Sequence, residues 1–234
     1  MERVVIEAGA NLKARAARQL ATTLVVLSGL LFLPAGTWRF WQAGLYVGLM
    51  VVSWTYFLTD LLQSDPRLVQ RRMQNKESEE PQRIVQKLFS AAIFPAYILA
   101  GLDFRFGWSR RIGGVPIALD LIGQAVAVAG YWLVFWTMKS NSFASSTIQV
   151  EAQHKVIEHG PYQWVRHPMY LGMMLTALGT PLALGSYVAL PVFALFVPLL
   201  LYRLVHEERK LRRELAGYAE YSERTRFRIL PRVW

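Results

Sequence analysis

Long, nearly uncharged apolar runs set the first limit on what this chain can fold into. A helix of about 20 apolar residues crosses the hydrocarbon core of a bilayer. Six such segments are legible: about Leu20–Leu33, Trp41–Leu62, Leu88–Leu102, Val115–Met138, Met169–Leu184 and Tyr187–Val205. The second and fourth reach spanning length. The first, third and fifth are marginal, which predicts tilting, a start in the headgroup region or incomplete spanning. Asp60 and Asp120 fall near segment ends rather than mid-membrane, which argues against an ion path. The expectation is an all-α, polytopic transmembrane helix bundle of about six segments. Gly179-Thr-Pro181 and Gly185-Ser186 predict a tight turn that makes the last two segments a helical hairpin. That hairpin returns the start of the fifth segment and the end of the sixth to one side, over a cytoplasm-facing pocket.

The charges sort by loop. The net charge is +10, but the basic residues crowd the ends of apolar runs, which suits anionic headgroups and topology better than nucleic acid. The N-terminal arm (Arg3, Lys13, Arg15, Arg18), the second loop, the fourth loop (Lys139, Lys155, Arg166) and the tail from Arg203 to Arg232 are basic. The alternate loops carry only Arg39, then Arg105, Arg110 and Arg111. The positive-inside rule then places both termini in the cytoplasm. The first segment reads as a retained signal anchor, since Pro34-Ala-Gly-Thr is a poor cleavage site. Ser64–Gln86 reads as a cytoplasmic, partly helical loop with Pro66 and Pro81 as breakers. There is no cysteine, which excludes thiol and thiolate-metal chemistry. His154, His159, His167 and His206 show no zinc-ligand spacing.

Chemistry concentrates after residue 139. In Gly160-Pro-Tyr-Gln-Trp-Val-Arg-His-Pro-Met-Tyr-Leu-Gly172 a polar and aromatic cluster runs through Pro168 into an apolar helix. Proline suits the first helical turn, and the N–H groups and dipole of a helix start favour an anion. Arg166, His167 and Tyr170 are expected around that start. The same residues also read as an interfacial aromatic belt with a snorkelling arginine. Arg203 and Glu207, four apart, share a helical face, and read either as a surface ion pair or as a carboxylate needing a partner at the membrane boundary. Asn141–Gln149 and His154-Lys-Val-Ile157 read as an irregular loop. Tyr218, Tyr221 and Phe227-Arg-Ile-Leu-Pro231 read as an amphipathic helix and a terminal strap on the membrane surface. No dinucleotide fingerprint, P-loop or nucleophile elbow is present.

Taken together, Gly160-x-Tyr162, Arg166-His-Pro-x-Tyr-x-Gly172, Arg203-x-x-x-Glu207-Glu208, Tyr218-x-x-Tyr221 and a final Arg-x-Leu-Pro resemble the isoprenylcysteine carboxyl methyltransferase family, which is related to phospholipid N-methyltransferases. The resemblance covers roughly Asn141 to the C-terminus. It implies two regions, 1–138 with the N-terminal membrane helices and 139–234 with the methyltransferase core. It implies S-adenosylmethionine as methyl donor, lined by Gln149, His154, Lys155, Val156, Ile157, Tyr162, His167, Pro168, Met169, Tyr170 and Glu207. It implies Arg203 at the methyl acceptor, a lipophilic or lipidated molecule entering from the bilayer, with a carboxylate as the favoured reacting group. An amine or thiol acceptor needs a base, for which His206 and Glu208 are the options. The competing readings are an NADPH-dependent sterol-type reductase and a non-enzymatic membrane transport or resistance component.

Overall fold

The computed structural model describes residues 2–74, 80–141 and 156–234, with side chains described over 11–73, 83–141 and 156–234. The elements are α1 (Glu2–Ala35), α2 (Trp41–Ser64), α3 (Pro66–Gln74), α4 (Glu80–Phe106), α5 (Trp108–Arg111), α6 (Ile117–Ser140), a short 3-10 turn (Gly160–Gln163), α7 (Pro168–Ala183), α8 (Leu190–Ala194), α9 (Phe196–Glu214) and α10 (Tyr218–Arg224). The described residues form an all-α bundle.

Five helical stretches are long and apolar enough to cross a bilayer: Asn11–Ala35, Trp41–Ser64, Arg83–Phe106, Ile117–Ser140 and Leu190–Glu214. The first and third therefore reach full length, because the helix continues past the apolar window into polar residues. The fifth apolar segment does not: α7 has 16 residues, short of the roughly 20 a bilayer needs. The sixth segment is broken at Leu195, between α8 and α9. Pro198 follows in the first turn of α9, where its ring would clash with the carbonyl of residue 194 in a continuous helix. Pro81 also differs from its expected role. It lies within the helical residues of α4 rather than interrupting them.

The hairpin turn lies at Leu184–Ala189, around Gly185-Ser186, and Gly179 belongs to α7 rather than to the turn. Gly179 faces α6. A Cβ there would lie 2.8 Å from the Ala127 nitrogen, and one on Gly172 would lie 2.6 Å from the Gly130 carbonyl. On the other helix, a Cβ on Gly130 would lie 2.5 Å from the Gly172 carbonyl. The two helices run antiparallel with seven-residue glycine spacings in register, Gly123 and Gly130 against Gly172 and Gly179. This brings backbone against backbone, the close approach that small residues allow between membrane helices. The main partner of α7 is therefore α6, across the 138/139 division, while its contact with α9 is lighter.

Polar side chains lock the remaining helices. Tyr46 on α2 places its hydroxyl 3.1 Å from the Tyr97 hydroxyl of α4 and 3.1 Å from Thr180 Oγ1 of α7, with the Tyr131 hydroxyl of α6 at 3.4 Å. At one end of the bundle Asp103 accepts from the Ser109 backbone N–H at 2.7 Å and from the Ser186 hydroxyl at 2.5 Å. The α7–α8 turn is thus fixed to the end of α4. Partnered buried polar groups of this kind select one arrangement of otherwise similar apolar helices.

Candidate functional site

The site forms where α7 begins. His167 caps α7 and Pro168 is its first residue, as the sequence predicts. The turn before it is held by Gly160, at φ +62, whose missing side chain lets the loop lie on Ser140 at the end of α6. Tyr162 then accepts a hydrogen bond from Asn141 Nδ2 at 3.0 Å, and its carbonyl accepts from the Tyr221 hydroxyl at 2.8 Å.

Arg166 does not stand beside the helix start as an anion ligand or a snorkelling cation. It is buried to 6% exposure and points the other way. Its Nη2 lies 2.7 Å from Glu208, also buried, and its Nη1 donates to the carbonyls of Ser222, Thr225 and Arg226 at 3.1, 2.9 and 2.9 Å. Glu208 also binds Arg228 Nε at 2.5 Å. The backbone adds to this. Arg166 N–H donates to the Phe227 carbonyl and His167 N–H to the Arg228 carbonyl, each at 2.9 Å. Glu208 is thus the hub that ties α9 to the start of α7 and to the C-terminal strap. Held by Arg166 and Arg228, with Arg212 at 3.6 Å, it is not available as a base. His206, the other option, is partly exposed, with Nδ1 3.0 Å from the Tyr202 carbonyl.

Glu207, one residue earlier, faces the opposite way. Its Oε2 accepts from the Tyr170 hydroxyl at 2.5 Å. Arg203, one turn earlier on α9, also acts on this hydroxyl, so Tyr170 of α7 lies close to both charges on one face of α9. The charge of Glu207 also reaches the hydroxyls of Tyr162 and Tyr218. His167 is 4% exposed, with Nε2 3.5 Å from the Tyr218 hydroxyl. Burial is the main force on it and holds its pKa down to about 4; the Glu208 charge opposes this and Arg166 and Arg228 add to it. His167 is therefore neutral at pH 7. Burial likewise raises the phenols of Tyr162 and Tyr218 and pushes Tyr221 up to about 12, so all three remain hydroxyl donors.

The structure thus brings Tyr162, His167, Pro168, Met169, Tyr170, Arg203 and Glu207 together. Val156 packs on Leu215, Tyr218 and Tyr221, forming an apolar side to the cluster. Ile157 is half-buried beside it in sequence. Gln149, His154 and Lys155 lie outside the described residues. Tyr218 and Tyr221 are buried in the cluster rather than spread on the membrane surface. Sequence reasoning missed Glu208 and Arg228 as the hub. The only hint was the tandem Glu207-Glu208, which does not say which acid faces where.

A polytopic helical bundle with a buried polar cluster at the start of a short helix defines a class of membrane protein, and comparison narrows it. Residues 119–216 match the phospholipid methyltransferase family. A probable protein-S-isoprenylcysteine O-methyltransferase of Oryza sativa subsp. japonica is 33% identical over 79 residues, 33% of this chain and 41% of that protein. The Delta(14)-sterol reductase of Mus musculus is 33% identical over 135 residues, 52% of this chain and 32% of that protein. The chain thus spans less than half the length of these curated relatives. The solved structure of a eukaryotic intramembrane Ras methyltransferase, an isoprenylcysteine carboxyl methyltransferase, overlays 95% of this chain and 82% of its own at 17% identity and a TM-score of 0.45. The sequence matches support the resemblance, carried by the residues, to the isoprenylcysteine and phospholipid methyltransferases.

Proposed function

We propose that the chain is an S-adenosylmethionine-dependent methyltransferase of the membrane. Its acceptor is lipophilic and presents a carboxylate, of the prenylated-cysteine or isoprenoid type. The observation that carries this is the cluster at Tyr170: its hydroxyl bonds Glu207 and lies close to Arg203 on the same face of α9, beside a neutral, buried His167.

The donor set fits the cofactor. Glu207 offers an anion to an ammonium or to hydroxyl donors. His167 and the Tyr162 and Tyr218 hydroxyls offer neutral hydrogen bonds, the start of α7 favours a carboxylate, and Val156 offers apolar cover. Gln149, His154, Lys155 and Ile157 complete the lining by family position. When bound, S-adenosylmethionine supplies a methyl group on a positive sulfonium. The protein's part is to orient the acceptor and limit its water. Arg203 holds the acceptor carboxylate through its planar fork, and Tyr170 fixes the distance between Arg203 and Glu207. A carboxylate arrives already ionised, so no base is required. Commitment of Glu208 to Arg166 and Arg228 favours such an acceptor over an amine or thiol, which needs its proton removed.

A second reading, sterol-type reduction with NADPH, is favoured by the match to the mouse reductase over 135 residues. One assay separates them. Label from methyl-tritiated S-adenosylmethionine should pass to a farnesylated cysteine derivative as an ester and be released by mild alkali. No transfer, together with NADPH consumption on a sterol diene, would establish the reductase reading instead. Label that is transferred but resists alkali would move the acceptor to an amine or thiol.

A further inference from the structure

The C-terminal strap does more than cover Glu208. Between it and the 3-10 turn lies an open groove of about 330 Å³, walled by Arg224, Thr225, Arg226 and Phe227 on one side and by Gln163 and Trp164 on the other. Arg224 pairs with Glu158. Arg226 is exposed, and no acidic side chain among the described residues pairs with it. The rim is apolar and open: Trp164 is 58% exposed, Phe227 and Pro231 line the groove with it, and Leu230, next to Pro231 in the chain, is exposed. The depth of the groove is fixed by the Trp136–Trp164 ring pair at 5.5 Å, because Trp136 lies one turn from the end of the Ile117–Ser140 span. Tryptophan pairs at that level mark the boundary between headgroups and hydrocarbon.

We propose that this groove binds the headgroup phosphate of one anionic phospholipid, with its acyl chains running past Trp164 and Leu230. A cationic wall with an unpaired arginine selects negative charge. The apolar rim at membrane depth selects a lipid over a free anion. The same backbone that forms the wall anchors the site. The carbonyls of Thr225, Arg226 and Phe227 all accept from Arg166. A lipid in the groove therefore braces the start of α7 and should stabilise the fold. This inference rests on the membrane reading of the fold, not on the methyltransferase reading, and its readout is lipid binding rather than turnover.

The test uses the full chain in lipid nanodiscs of phosphatidylcholine, titrated with phosphatidylglycerol. Bound lipid is counted by native mass spectrometry, and stability by thermal melting. The wild type should retain one phosphatidylglycerol and melt higher in its presence. Arg226→Gln should weaken that retention about fivefold, the worth of one arginine at such a surface, and Trp164→Ala should weaken it further. Both sites are exposed, so neither change empties the core, and unchanged phosphatidylcholine melts would confirm folding. Arg15→Gln, an exposed charge on α1, should leave retention unchanged. Equal loss in Arg15→Gln, no preference over phosphatidylcholine, or displacement of the lipid by millimolar inorganic phosphate would overturn the proposal.

Discussion

Glu207 and Glu208 are neighbours with opposite duties, and the difference is one step of about 100° around α9. Glu207 faces Tyr170, whereas Glu208 faces Arg166 and Arg228. Their variants should fail differently. Glu207→Gln should keep its melting behaviour and lose S-adenosylhomocysteine affinity by on the order of tenfold to a hundredfold, the worth of hydrogen bonds to a charged group. Glu208→Gln leaves Arg166, Arg212 and Arg228 around one point without an anion. It should cost about 3–5 kcal/mol of stability, read as a lowered melting temperature. Arg203→Lys keeps the charge but loses the fork. Turnover should fall by on the order of a hundredfold, with cofactor affinity nearly unchanged. His167 makes stability pH-dependent. Its pKa is about 4 in the fold against an ordinary 6.5, so between those values the unfolded chain takes up the proton and the fold does not. Stability should therefore fall as pH drops from about 6.5 to about 4 and level off below, by on the order of 3 kcal/mol. The difference between wild-type and His167→Gln melts across that range isolates the histidine from the carboxylates. A flat difference would contradict its burial as the neutral base.

At the scale of elements, the start of α7 was legible because proline, histidine and the following apolar run each point to the same boundary. The lengths of α1 and α4 were not, because a hydropathy window ends where charge begins while the helix does not. The α6–α7 pairing was also hidden. Gly123, Gly130, Gly172 and Gly179 show their common spacing only once the two helices are set antiparallel, and the turn residues drew attention to α9 instead. The role of Arg166 was misread for a similar reason, since its partner is 42 positions away on α9. Replacing Gly130 by valine should push α6 from α7, because even a Cβ there meets the Gly172 carbonyl at 2.5 Å. The expected loss is about 1–3 kcal/mol, with the site residues displaced along with α7. Unchanged melting would contradict the backbone contact.

For the whole molecule, membrane residence follows from five helical stretches long and apolar enough to cross a bilayer, and the expected topology counts α7 as a sixth, short pass that returns the chain to the side where it began. The expected topology places the N-terminal arm, the pocket and the strap together on the cytoplasmic side. With no native cysteine, single cysteines at Arg15, Arg111 and Arg232 can be labelled without background. The first and last should react from one side of the membrane and the middle one from the other. The proposed function stands on a site for S-adenosylmethionine built on Tyr170, Glu207 and His167. Its most direct test is calorimetry of the detergent-purified protein with S-adenosylhomocysteine and with NADPH. S-adenosylhomocysteine should bind with micromolar affinity that is lost in Glu207→Ala, and NADPH should give no heat. Binding of NADPH alone, or S-adenosylhomocysteine binding that survives Glu207→Ala unchanged, would contradict it.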